Sequence, residues 1–131
     1  MIIKKRIKVT AAIIRMDGKV LITERPEGTH LEGLWEFPGG KKEDFETLEE
    51  CIAREIKEEL GVQIKPEKQL MNVTHEYDSK IVELYFYECS LVNGAPVPME
   101  GQDMRWVEPD ELPSYRFPPP DLKIIDFLCK K

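Results

Sequence analysis

The stretch from Gly40 to Val62, GKKEDFETLEECIAREIKEELGV, constrains this chain more than any other. Within it, Arg54-Glu55-Ile56-Lys57-Glu58-Glu59-Leu60-Gly61 sets three carboxylates into five positions. Residues three and four apart share a helix face, so the spacing predicts that Glu55, Glu58 and Glu59 converge. Like charges at that separation repel, and a fold that keeps them together does so around a cation. All-oxygen ligation suits a hard ion, Mg²⁺ or Mn²⁺. Thr47 followed three residues later by Glu50 is a capping-box pattern that starts the helix near Thr47, and Gly61 is its stop. Leu48, Ile52, Ile56 and Leu60 recur every four residues as the buried stripe, which turns the acidic face toward a cleft. Arg54, beside Glu55 and four residues before Glu58, is placed to orient a carboxylate. Pro38-Gly39-Gly40 can bend sharply and offer backbone carbonyls to the same ion. The competing reading is a solvated acidic helix face.

The remainder of the chain reads as a small globular enzyme. Its 131 residues make one domain, 1–131, with one core and no room for a second. A net charge of −6 argues against a nucleic acid polymer or an anionic membrane as partner, because both favour a basic surface. Cys51, Cys89 and Cys129 are odd in number and lack CxxC spacing, so they are read as reduced thiols. No apolar run reaches signal-peptide or membrane-spanning length, and the expectation is a cytoplasmic protein.

In chain order, Ile7 to Arg15 and Val20 to Glu24 are strands joined by the hairpin turn Asp17-Gly18. Arg25 to His30 is loop, and Leu34 to Pro38 is an apolar run with Trp35 and Phe37 as core candidates. Gln69 to Tyr77 and Ile81 to Leu91 form a hairpin across Asp78-Ser79-Lys80, with Tyr77, Tyr85, Phe86 and Tyr87 as core or sheet surface. Met104 to Val107 is a strand, Glu108 to Leu112 a helical turn, and Leu122 to Leu128 a closing helix. Asp121 is placed to cap that helix, with Leu122, Ile125 and Leu128 on its buried face.

The pattern Gly40, Glu46, Arg54-Glu55-Ile56, Glu58-Glu59, Gly61-Val62 fills all nine specified positions of a 23-residue motif and resembles the Nudix box. Ala11 to Arg25, Leu34 to Lys41, Glu100 to Val107 and Phe117 to Phe127 also look like MutT-type nucleoside triphosphate pyrophosphohydrolases and the related CTP pyrophosphohydrolases. The resemblance implies an α/β/α sandwich: a mixed sheet between the box helix and the C-terminal helix. It implies Arg25 as a clamp on a substrate phosphate and His30 as a nucleotide contact. Glu36, Phe37, Pro38 and Gly39 would lend backbone groups and an aromatic face to the base, and Lys80 stands where MutT-like proteins place a substrate-contacting arginine. A lysine cannot offer that fork. Glu100 would be an extra metal ligand or water-positioning base beside Gly39, Glu55, Glu58 and Glu59. Asp121 stands where MutT has asparagine and the CTP pyrophosphohydrolases have aspartate.

The implied activity is Mg²⁺-dependent hydrolysis of a nucleoside triphosphate, such as 8-oxo-dGTP or dGTP, to monophosphate and pyrophosphate, in a monomer or homodimer. Glu55, or else Glu100, would take the proton from the attacking water. CTP or dCTP, ADP-ribose or a dinucleoside polyphosphate are the alternative substrates. A non-catalytic nucleotide-sensing module is the alternative of a different kind, and the intact box leans against it.

Overall fold

The computed structural model describes residues 3–29 and 31–130. His30 lies outside the described residues, so its expected nucleotide contact has no structural account. Strand β1 (Lys5–Met16) is the spine of the sheet. It turns through Asp17 and Gly18, both at positive φ (53° and 79°), into β2 (Lys19–Glu24), the geometry an Asp-Gly hairpin favours. Two short strands follow, β3 (Trp35–Glu36) on β2 and β4 (Gly39–Lys41) on β1. After α1 (Leu48–Leu60) come the long hairpin β5 (Gln63–Glu76) and β6 (Lys80–Asn93), then β7 (Met104–Val107). A 3-10 segment, Pro109–Ser114, and a second, Pro119–Asp121, lead into α2 (Leu122–Cys129).

The sheet order is β3-β2-β1-β6-β5, with β4 on β1 and β7 on β2. Among the described residues only β1 and β6 run parallel, from Lys5↔Lys80 to Ile14↔Cys89. A mixed sheet with helices on both faces needs strands that are apolar on both sides. The run Ala11-Ala12-Ile13-Ile14 supplies that. Alternate side chains of a strand point to opposite faces, so Ala11 and Ile13 join a core with Phe86, Ile124, Ile125 and Leu128 of the α2 side. Ala12 and Ile14 join a second core on the opposite face, with Ile52, Ile56 and Leu60 of α1, so the sheet divides in two the single core expected from the chain's length. The α/β/α sandwich is therefore built by one strand serving both layers.

Helix α1 begins and ends as its residues dictate. Thr47 Oγ1 accepts from the Glu50 N–H (3.1 Å) and Glu50 Oε1 accepts from the Thr47 N–H (2.8 Å), a reciprocal cap that stabilises the first turn by about 1 kcal/mol. Gly61 stops the helix in the left-handed region (φ 67°). Cys51, Ile52, Ile56 and Leu60 are buried, while Leu48 is half-buried. All three cysteines are free thiols.

Four expectations change. β5 starts at Gln63 rather than Gln69, because an edge strand tolerates Pro66 and several bulges that spoil the alternation read from sequence. Within Pro38-Gly39-Gly40 the bend falls at Pro38, and Gly39-Gly40 is extended, pairing with β1 as Ala11↔Gly39 and Thr10↔Gly40. In α2 the buried residues are Ile124, Ile125 and Leu128, whereas Leu122 is 58% exposed, because the 3-10 entry rotates the face. Asp121 makes no capping hydrogen bond, its αR backbone aiming the side chain elsewhere.

Candidate active site

Two regions of the site meet at β4. Gly39 lies so close to β1 that a Cβ there would stand 2.0 Å from the Thr10 carbonyl oxygen. At Gly40 a Cβ would fall 2.3 to 2.6 Å from the Glu55 carboxyl group. Two glycines thus let β4 pass between β1 and the acidic side of α1, and only a glycine at position 40 leaves Glu55 where it is.

Arg54 is the hub of the acidic region. Its Nη2 and Nε donate to Glu46 (2.6 and 2.9 Å), its Nη1 to Glu55 (3.1 Å) and Glu58 (3.0 Å), and its Nη2 also to the Lys41 carbonyl (3.1 Å). The fork on Glu46 is the geometry guanidinium and carboxylate favour. It holds the buried Glu46 carboxyl low, at about 2, with a further bond from the Glu43 N–H. Sequence reading paired Arg54 with Glu55 and Glu58 and gave Glu46 no role; the signal was the motif glutamate eight residues ahead of Arg54.

Glu59 turns away from Arg54. It accepts a backbone hydrogen bond from Gly39, and its Oε2 is buried with no partner. Burial pushes its pKa up to about 9, with further upward pressure from Glu36, Glu55 and Glu100. Glu55 links the three box carboxylates: Arg54 binds it together with Glu58, and its charge also acts on Glu59 beside Gly39. No three metal-ligating side chains among the described residues close around one point. The donor set still fits a divalent cation, since a buried orphan oxygen faces a field of carboxylates that raise one another.

Glu100 belongs to the same field. Its loop is tied to the end of α1 by Val97 N–H to the Leu60 carbonyl and Met99 N–H to the Glu59 carbonyl, both 2.9 Å. The largely buried Gln102 holds the Glu100 N–H at 3.0 Å. The Glu100 charge raises both Glu59 and Glu36, so its carboxylate faces the two of them.

On the other side of β4 opens a cleft of about 230 Å³ lined by Val9, Leu84, Arg25, Glu36, Tyr77, Lys80, Pro118 and Asp121 among others. Arg25 donates to Glu36 (3.0 Å) at its mouth. Lys80 stands on its wall, with its ammonium 5.7 Å from the Tyr77 ring centre. Asp121 is 5% exposed, and burial, with Glu36 nearby, pushes its pKa up to about 8. Near neutral pH it holds its proton, and offers one O–H donor and one carbonyl acceptor. Of the run that the resemblance assigned to the base, Glu36, Phe37 and Gly39 line the cleft, but Phe37 is only 4% exposed. Trp35 packs edge-on against Tyr115, and the buried Pro38 gives its carbonyl to the Ala12 N–H (2.7 Å). Tyr77, read from the sequence as core or sheet surface, and Thr10, given no role there, also line the cleft.

Known proteins resemble this chain in sequence and fold. The NUDIX domain matches residues 9–127. An 8-oxo-dGTP diphosphatase of Haemophilus influenzae is 38% identical over 129 residues, 98% of this chain and 95% of that protein. A CTP pyrophosphohydrolase of Escherichia coli K12 is 34% identical over 122 residues, 93% of this chain and 90% of that protein. The crystal structure of a MutT protein from Methanosarcina mazei Go1 superposes with a TM-score of 0.85 at 26% identity, covering 98% of this chain and 96% of that one. With the domain spanning nearly the whole sequence and full-length relatives well above 30% identity, this chain belongs to the Nudix hydrolase family.

Proposed function

We propose that this enzyme hydrolyses a nucleoside triphosphate to the monophosphate and pyrophosphate, with Mg²⁺ as cofactor and Mn²⁺ as substitute, and that 8-oxo-dGTP is its leading substrate. Its role is then to clear oxidised triphosphates from the nucleotide pool. The observation that carries this reading is Asp121: an acid buried in a cleft that also exposes Gly39 and Gly40 of β4, the strand packed against Glu55, with burial favouring its protonated form. 8-oxoguanine presents an N7–H donor beside the O6 acceptor. A protonated carboxyl matches that edge with its carbonyl and its O–H.

Glu55, Glu58 and Glu59, with Glu100 and the Gly39 carbonyl, would hold the divalent ion, which when bound neutralises phosphate charge and acidifies a water. Arg54 fixes the carboxylates of Glu55 and Glu58 through its hydrogen bonds. Glu55 accepts the proton as water attacks phosphorus, the bridge between the α- and β-phosphates breaks, and pyrophosphate departs. Arg25 and Lys80 supply positive charge to the phosphates from the cleft side.

A second reading, hydrolysis of CTP or dCTP, is favoured by the same acid, since cytosine sets an amine donor beside the N3 acceptor, and by the relative that carries that activity in its name. Pyrophosphate release from 8-oxo-dGTP, dGTP, CTP and dCTP, with AMP release from ADP-ribose measured alongside, all with Mg²⁺, tests both. A kcat/KM lead for 8-oxo-dGTP supports the proposal, a lead for the cytosine nucleotides replaces it with the second reading, and a lead for ADP-ribose removes both.

A further inference from the structure

The chain carries a net charge of −6 and its proposed substrate is a polyanion, so phosphates approach the acidic centre against a repulsive field. One surface has the opposite sign. A groove of about 600 Å³, separate from the cleft, is lined by Lys5, Arg6, Lys8, Lys41 and Lys42 against three carboxylates, Glu43, Asp44 and Glu83. Elsewhere Arg15, Arg25 and Arg54 sit on carboxylates. Among the described residues Lys5, Arg6, Lys8 and Lys41 form no ion pair, and Lys42 Nζ donates to the uncharged Glu43 carbonyl (2.9 Å). Arg6 acts on Glu76 only from beyond pairing distance.

The strands hold these charges in place. The Lys42 N–H donates to the Lys8 carbonyl (2.8 Å), and Lys41 is paired with Val9. By alternation Arg6 and Lys8 share one face of β1, about 7 Å apart. Lys5 shares the other face with Val9 and is paired with Lys80 of β6, and both Val9 and Lys80 line the cleft. The Lys41 carbonyl accepts from Arg54, the hub of the acidic centre (3.1 Å). The groove therefore adjoins the cleft at one end and the acidic centre at the other.

We infer that this groove is a docking site for a phosphate chain: the polyphosphate of an incoming nucleotide binds there first and passes from it to the cleft. This rests on the proposed nucleotide substrate. The cations offer N–H donors and positive charge, which phosphate oxygens accept. A nucleic acid strand fits less well, because a longer polyanion runs past Glu43, Asp44 and Glu83 onto an acidic surface. The groove serves capture and not the chemical step, so it governs KM and its salt dependence rather than kcat.

The test compares wild type with the triple variant Lys5→Gln, Arg6→Gln, Lys8→Gln, and with a control of equal charge, Lys19→Gln, Lys65→Gln, Lys68→Gln, whose lysines are exposed and outside the groove. At low salt the groove variant should raise KM for the triphosphate about five-fold with kcat unchanged, and the gap should close by about 0.5 M NaCl. The control should stay within about two-fold of wild type. In EDTA, inorganic tripolyphosphate should shift the backbone amide NMR signals of residues 5–8 and 41–43 in wild type, a readout that does not depend on how the variants fold. An unchanged KM in the groove variant, an equal rise in the control, a gap that salt does not close, or amide signals that ignore tripolyphosphate would each overturn the assignment. Tighter binding of a single-stranded oligonucleotide than of tripolyphosphate would overturn it in favour of a nucleic acid site. Absence of triphosphate turnover by wild type would instead sink the proposed function, and the tripolyphosphate titration would still decide whether the groove binds a phosphate chain.

Discussion

Glu59 is the residue where stability and function pull in opposite directions, and Glu59→Gln makes the conflict measurable. The carboxyl group has an ordinary value of 4.5 and stands at about 9 in the folded protein. An acid raised by folding costs nothing below its unfolded value, where both states hold the proton. The cost grows as pH climbs from 4.5 toward 9, because only the folded state then retains the proton. At about 1.4 kcal/mol per pH unit, the penalty is roughly 3 kcal/mol at pH 7 and about 5 kcal/mol at pH 8. Glutamine removes this titration but leaves a buried amide where Oε2 lacked a partner, which costs about 1–3 kcal/mol at every pH. The two effects cross. In EDTA, Glu59→Gln should melt a few degrees below wild type at pH 5 and about 5–10 °C above it at pH 8, at roughly 3–5 °C per kcal/mol for a chain of this size. Thermal melts followed by circular dichroism from pH 5 to 8.5 give the answer. A Tm difference that is constant across that range would refute the reasoning, since the penalty would then have nothing to do with a proton. The same substitution should abolish Mg²⁺-dependent turnover.

Other substitutions probe the rest of the site. Gly40→Ala inserts a Cβ into the space of the Glu55 carboxyl group, so kcat should fall by about 10- to 100-fold while Tm moves by only a few degrees, as the side chain can swing aside; unchanged kcat would show that Glu55 need not sit there. Asp121→Asn carries a donor and an acceptor without titrating, so wild-type KM should worsen as pH rises through about 8 while the variant's stays flat; parallel pH profiles would contradict a protonated Asp121. Arg54→Lys loses the fork on Glu46 and the bonds to Glu55 and Glu58 together, and should lower both kcat and Tm, whereas a surface arginine would affect neither.

The helix around the acidic motif was legible because its signals are local: the cap pair Thr47 and Glu50, the four-residue stripe, and Gly61 all act within a few residues of one another. The same holds for the Asp17-Gly18 hairpin. Strands β3 and β4 were hidden for the opposite reason. Two or three residues carry no periodicity, and their pairing with β2 and β1 is a tertiary fact. At the site, the motif marked Arg54 and its glutamates, but the fork on Glu46 depends on how the segment before α1 folds back. Asp121 shows how one pattern can mislead: Pro-Pro-Asp ahead of a helix looks like a cap, yet the 3-10 turn sends the carboxyl group into the cleft. Tyr77 looked like sheet filler because nothing in its neighbours announces that the hairpin tip overhangs the cleft.

The loop that carries Glu100 takes its bearings from α1, through Val97 and Met99, and not from the strands it connects. The anchoring bonds begin at Val97, downstream of the turn at Gly94. Extra residues spliced in beside the exposed Gly94 and Ala95 would bulge outward without shifting Glu100. That makes this short span the natural port for grafting a reporter peptide or a tether, one that reports on the acidic centre from a few residues away without disturbing it.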